Sequence, residues 1–216
     1  MKYRSLLFDW SGTLVDDLPP TLHATNEVLS RHQVPAMSRD EFRQRFRLPY
    51  PEFYEEVLPG VPIESLEDTF RTSFDESPIG VTVLPYAREM LEWCREAGIR
   101  CFVLSSMDVG LFTRQAHEFE LHGYFEAIYA GVIDKRERIR EILERHELPV
   151  EETAFVGDMV HDIQTAKHGG ISSVAVATGY DPVHRLEECE PHHFFDHLGD
   201  FREWLQTSTR LERTGR

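Results

Sequence analysis

The chain has 216 residues, 41% of them hydrophobic and 28% charged, with a formal net charge of −15. This composition excludes a disordered or fibrous chain, and the length fits one large domain or a domain carrying an insert. The acidic balance excludes a broad nucleic-acid or anionic-membrane surface, because phosphate backbones require clustered Lys and Arg. A small anionic substrate remains compatible, since a metal and one or two local cations can meet its charge.

The opening MKYRSLLFDW has too short an apolar run for a signal peptide. No stretch reaches membrane-spanning length. Cys94, Cys101 and Cys189 have no CxxC spacing, and the first two fall within apolar patterns as buried thiols. These features together predict a cytoplasmic protein.

Ser5–Phe8 reads as a buried strand. Residues 17–82 then carry helical patterns at 20–32, 39–46, 51–57 and 64–75, the second opening on a capping box from Ser38 to Glu41. Pro49, Pro51, Pro59, Pro62 and Pro78 punctuate them. From Pro85 onward helices and strands alternate: helix 86–97 closed by Gly98, strand Ile99–Leu104, helix 108–121, strand Ala127–Ala130, helix 135–146 and strand Thr153–Val156. Helix 160–168, strand Ser173–Ala177, a short strand at His193–Phe195 and helix 198–205 follow. Strands that are apolar throughout, alternating with helices, predict an α/β fold with a parallel sheet covered on both faces. The expected organisation is a Rossmann-like core of residues 1–16 and 83–206, a small helical cap at 17–82 inserted after the first strand, and a loosely ordered tail at 207–216.

Ligands of open parallel sheets bind beyond the carboxyl ends of the strands. Four such ends carry reactive groups: Asp9; Ser105 with Ser106; Lys135 shortly after its strand; and Asp158 and Asp162 in GDMVHD. Each has a bland reading alone, as a helix cap, a backbone partner, a solvated lysine or a turn. Their order, each after an apolar run, is what points to chemistry.

With FDWSGTLVDD, LSS, Lys135 and GDMVHD as four motifs, nearly the whole chain resembles the haloacid dehalogenase superfamily. The stretch ATGYDPVHRL also resembles its phosphoglycolate phosphatase-like members. The resemblance implies a phosphatase acting on a small phosphorylated metabolite. Asp9 would be the nucleophile that forms an aspartyl-phosphate. Mg²⁺ would be held by Asp9, the Ser11 carbonyl, Asp158 and, through water, Asp162. Ser105, Lys135 and backbone N–H groups near Gly12 would hold phosphate oxygens, and Lys135 would also offset the three carboxylates.

Phosphatases of the superfamily usually have Asp two residues after the nucleophile, as general acid and base. Here that residue is Ser11. The resemblance therefore leaves alternatives: a phosphatase that borrows another base, with His161 as a candidate, or a catalytically weak regulatory or binding member. A phosphonoacetaldehyde hydrolase-like enzyme has a similar DWAGT motif but needs a cap lysine, and the chain has only Lys2, Lys135 and Lys167. A 2-haloacid dehalogenase would leave Asp158 and Asp162 unexplained.

Arg43, Arg45 and Arg47, beside Phe42 and Phe46, are candidates to close over an anionic substrate, with Arg43 and Arg47 expected to share a helix face at i,i+4, while a solvated helix face is the expected reading for at least two of the three. Ser106, at its strand end, is a further expected substrate-binding residue. Phe42, Phe46, Tyr50, Phe53 and Tyr54 are expected to form the insert's own core and partly line the cleft. Cys189, His192, His193 and His197 match no zinc-site spacing. No nucleic-acid or membrane partner is expected, and the protein is expected to act as a monomer or homodimer.

Overall fold

The computed structural model describes residues 2–214, with side chains through residue 208. Its first strand, β1 (Ser5–Phe8), is buried on both faces. Next come β2 (Val15–Asp16), helices α1 (Leu18–Arg31), α2 (Arg39–Arg45), α3 (Tyr50–Val57) and α4 (Ile63–Asp75), and β3 (Thr82–Val83). The alternating half follows: α5 (Ala87–Ala97), β4 (Arg100–Leu104), α6 (Val109–Glu118), β5 (Ala127–Tyr129), α7 (Ile139–Arg145), β6 (Thr153–Gly157), α8 (Val160–Gly169) and β7 (Ser172–Val176). The chain closes with α9 (Val183–Glu188), β8 (His193–Phe195) and α10 (Leu198–Thr214).

Six strands form one parallel sheet in the order β5-β4-β1-β6-β7-β8. The chain winds to one side of β1 through β4 and β5, then to the other through β6, β7 and β8. This reversal opens a crevice at the carboxyl end of β1. Phe8 is paired with Val103 of β4 and Val156 of β6, so Asp9, Ser105 and Asp158 emerge together at adjacent strand tips. One face of the sheet packs on α5 and α10 through Leu6, Phe8, Met90 and Phe201, and the other on α7 and α8 through Leu7, Phe155, Ile142 and Ala166.

Helices α1–α4 form a separate apolar lobe around Leu29, Phe42, Phe53 and Leu66, and Met159 and Tyr180 of the core pack against it. The lobe leaves and re-enters the core through β2 and β3, which pair antiparallel at Val15–Val83 and Asp16–Thr82. Two residues per strand are too few to leave an alternation pattern in the sequence.

Other departures from the expected elements have local causes. The helix expected at 135–146 is a 3₁₀ turn at Lys135–Glu137 followed by α7, and in that turn the Lys135 N–H is donated to His161 Nε2 at 3.1 Å. Helix α9, only six residues, is too short to show a period. Helix α10 extends past 205 to Thr214, since no Pro or Gly interrupts residues 206–214. The expected loose tail is therefore helical in backbone through 214, and its positions 215 and 216 lie outside the described residues. Helix α2 ends at Arg45 with Phe46 extended, because the Leu48–Pro49 and Tyr50–Pro51 pairs cannot continue it. Arg47 therefore lies outside the helix, and the i,i+4 relation with Arg43 is not formed.

Candidate active site

The turn after β1 is held by side chains on every side. Trp10 is fully buried, donates Nε1–H to Gln115 Oε1 at 2.8 Å and meets Phe112 edge-on at 4.6 Å. This anchor fixes Asp9, whose Oδ1 accepts the Trp10 N–H at 2.6 Å while Oδ2 lies 2.7 Å from Lys135 Nζ. Gly12 sits at φ +74°, and a Cβ there would lie 2.3 Å from Asp158 Oδ2. Only glycine allows that backbone conformation and that approach.

Asp158 is fully buried. Its Oδ1 accepts the Thr13 hydroxyl at 2.7 Å and its Oδ2 the Tyr180 N–H at 2.8 Å. Gly179 passes so close that a Cβ would fall 2.0 Å from Oδ2. The segment after β7, Thr178–Tyr180, thus closes over the site, and Thr178 Oγ1 donates to the Gly12 carbonyl at 2.6 Å. Asp162, in the first turn of α8, accepts the Met159 N–H at 3.0 Å and Lys135 Nζ at 2.7 Å.

One oxygen from each of Asp9, Asp158 and Asp162 lies within 4.8 Å of the others, and all three residues are buried. Among the described residues, Lys135 is the cation paired with them, at Asp9 and Asp162. Burial opposes its charge, but Asp162 and Asp9 outweigh burial and hold the ammonium above its ordinary range. Burial, with Asp9 and Asp162 adding repulsion, pushes Asp158 well up. Burial also raises Asp162 to about 7, against the pull of Lys135. Three hard oxygen donors with one cation between them leave an excess of negative charge. That donor set suits a divalent ion of the magnesium type.

Of the remaining expected residues, Ser105 is buried and its Oγ accepts the Met107 N–H at 3.2 Å, which fixes the oxygen and leaves its O–H to donate. Ser106 faces a cavity of about 400 Å³ between core and lobe, with Asp9 and Ser11 on its wall. Arg43 and Arg47 are not brought to this cavity. Arg43 donates to the carbonyls of Tyr180 at 3.2 Å and Asp181 at 2.8 Å, and Arg47 is paired with Glu56 at 2.5 Å. The first guanidinium fastens the lobe to the core; the second belongs to the surface. Phe42 and Phe53 are buried in the lobe, whereas Phe46, Tyr50 and Tyr54 reach the cavity. No lysine lines it among the described residues. His161 is 2% exposed and accepts the Lys135 N–H from behind the site. Burial, with help from Lys135, depresses it to about 3, so it stands as a neutral brace.

Asp17 had no role in the sequence reading. It precedes α1 yet makes no cap hydrogen bond. Instead its Oδ2 accepts the Ser11 hydroxyl at 2.6 Å and its Oδ1 accepts Tyr180 O–H at 2.8 Å. It lines the cavity, is 1% exposed, and burial raises it to about 7 despite both hydrogen bonds. An Asp ahead of a helix reads as a cap, which hides it. The doubled Asp16-Asp17 at the end of the first motif was the available signal.

A 5′-nucleotidase from Pseudomonas aeruginosa is 26% identical over 96% of this chain and 97% of its own. A phosphoglycolate phosphatase from Pseudomonas fluorescens is 23% identical over 90% of this chain and 77% of its own. The solved structure of a haloacid dehalogenase-like hydrolase from Streptococcus pneumoniae superposes with a TM-score of 0.83 at 20% identity, covering 94% of this chain and 99% of that one, and so shares the fold. No helix among the described residues is long and apolar enough to cross a membrane. The sequence signature of haloacid dehalogenase-like hydrolases spans residues 6–176, from β1 through Asp9, Lys135, Asp158 and Asp162 to β7, and the chain belongs to that family.

Proposed function

We propose that this hydrolase is a Mg²⁺-dependent phosphatase that removes phosphate from a small organic ester by way of an aspartyl-phosphate on Asp9. The observation that carries the reading is the meeting of Asp9, Asp158 and Asp162 oxygens within 4.8 Å around Lys135, with Asp9 on the wall of the cavity between core and lobe. Relatives named as a nucleotidase and a phosphoglycolate phosphatase support phosphomonoester chemistry.

Asp9, Asp158 and the Ser11 carbonyl would hold the ion, with Asp162 reaching it through water. Bound there, Mg²⁺ supplies neutralising charge for the phosphate oxygens and fixes their orientation. Lys135, the Ser105 hydroxyl and the amides around Gly12 hold the same oxygens, in a reaction whose catalysis is mainly alignment and charge. An Asp9 carboxylate oxygen attacks phosphorus, the bond to the leaving oxygen breaks, and water later splits the acyl phosphate. The position usually held by a second aspartate is served by Ser11 with Asp17 behind it. Their 2.6 Å hydrogen bond opens on the cavity and provides a two-member path for the proton passed to the leaving oxygen.

The test is phosphate release from a panel of esters with and without Mg²⁺. Asp9→Asn is expected to abolish release, and full activity in that variant refutes the assignment. Asp17→Asn is expected to lower kcat by about 10²–10⁴ on alkyl esters and far less on p-nitrophenyl phosphate, whose leaving group needs no proton. An equal loss on both would remove Ser11 and Asp17 from the proton path.

A further inference from the structure

We infer that the organic part of the substrate is an uncharged, largely apolar body, so that the site takes phosphomonoesters of alkyl or aryl alcohols in preference to small phosphorylated acids. The inference rests on the phosphatase reading above and narrows it.

The cavity of about 400 Å³ beside Asp9 has room for about a dozen groups at the ~30 Å³ of a water molecule. Its size lies in the range of sites that enclose a whole organic ligand. Away from Asp9 its walls are apolar: Phe46, Leu66, Phe70, Phe74, Met107 and Leu111. The tyrosine hydroxyls along those walls already have partners. Tyr50 O–H is donated to Glu67, Tyr54 is hydrogen-bonded to Thr25, and Tyr180 O–H is shared between Asp17 and Thr21. They offer a ligand their rings and little else.

The charges point the same way. Arg71 is the one cation among the lining residues described, against Asp9, Asp17, Glu67 and Asp108. Its side chain is 54% exposed and lies 3.7 Å from Asp108. A second anionic group on the substrate, such as the carboxylate of phosphoglycolate, would enter a chamber whose lining carboxylates outnumber its one cation, and that cation, Arg71, lies beside Asp108 at the exposed rim. An alkyl or aryl group gains from the same walls.

The experiment uses the full-length protein with Mg²⁺ and a series of primary alkyl phosphates from ethyl to hexyl, whose leaving alcohols have nearly the same acidity. Phosphoglycolate is run beside them. The expected result is a kcat/KM that climbs by up to about fourfold per methylene until the chamber is full, with phosphoglycolate below the hexyl ester. Phe70→Ala, which removes one of the apolar walls, is expected to flatten that climb by lowering kcat/KM for the hexyl ester far more than for the ethyl ester. A flat or falling series, or preference for phosphoglycolate, overturns the substrate class and leaves the phosphatase reading standing. No release from any ester, p-nitrophenyl phosphate included, overturns that reading and the substrate class with it.

Discussion

Replacing Lys135 by Met keeps most of the buried stem and removes the ammonium, so it isolates the charge that holds the carboxylates together. Lys135 is 0% exposed and makes two 2.7 Å contacts, one to Asp9 and one to Asp162. A hydrogen bond to a charged group contributes about 1.5–3 kcal/mol, and removing one partner of a buried ion pair costs about 3–5 kcal/mol. The two figures agree on a loss of about 4 kcal/mol. For a chain of this size that corresponds to a Tm lower by about 8–16 °C. The assay is thermal unfolding in a chelator, so that no divalent ion compensates the carboxylates. The sign of the pH dependence gives a second handle. Asp162 titrates near 3.8 when unfolded and at about 7 in the fold, where its ionised form is disfavoured. Without the ammonium that form is disfavoured further, so the deficit is expected to be largest above pH 7 and to shrink toward about pH 5, where the folded variant takes up protons. A Tm within about 2 °C of the wild type, or a deficit that does not shrink in acid, would refute the view of Lys135 as the counter-charge.

Two further predictions concern other parts of the molecule. Gly179→Ala would place a methyl group 2.0 Å from Asp158 Oδ2 and 2.7 Å from Gly12 Cα. It is expected to destabilise the fold by about 1–3 kcal/mol and to abolish the rise in Tm on adding Mg²⁺; an undiminished rise would show that Asp158 is not part of the ion site. His193 is lowered to about 4 by burial, with Lys2 and His192 adding to the effect, and it stays neutral in the fold where the unfolded chain binds a proton. Stability is therefore expected to fall as pH drops from about 6.5 to about 4, and His193→Gln to remove that part of the slope. Parallel urea-midpoint profiles for the two proteins would refute it.

Much of the site was legible because its residues follow strongly apolar runs. Asp9, Ser105 and Asp158 each sit one or two residues past a strand that is buried on both faces. In a parallel sheet, register alone then brings them together. Lys135 was legible by its place in the same order. The rest depended on contacts that spacing does not encode. Asp17 draws its meaning from Ser11, six residues away, and from Tyr180, 163 residues away. Arg43 looked like a substrate clamp on a helix face, because nothing nearby in sequence announces the Tyr180 and Asp181 carbonyls that occupy it. His161 read as a candidate base beside Asp162, because nothing in its own stretch of sequence announces the Lys135 N–H that occupies its Nε2. The β2–β3 neck and α9 escaped notice because periodicity needs more residues than they contain.

The grip of Arg43 on residues 180 and 181 has a mechanical consequence. The amide of Tyr180 steadies Asp158, and its hydroxyl steadies Asp17, while the Asp181 carboxylate accepts the N–H of Val160 at the start of α8. One short loop is thus the latch of the helical lobe and the scaffold of the acidic cluster at once. Swinging the lobe far enough to break that latch would tug on Asp158 and Asp17, so on the proposed mechanism admission of a new ligand and readiness for chemistry are set by one movement.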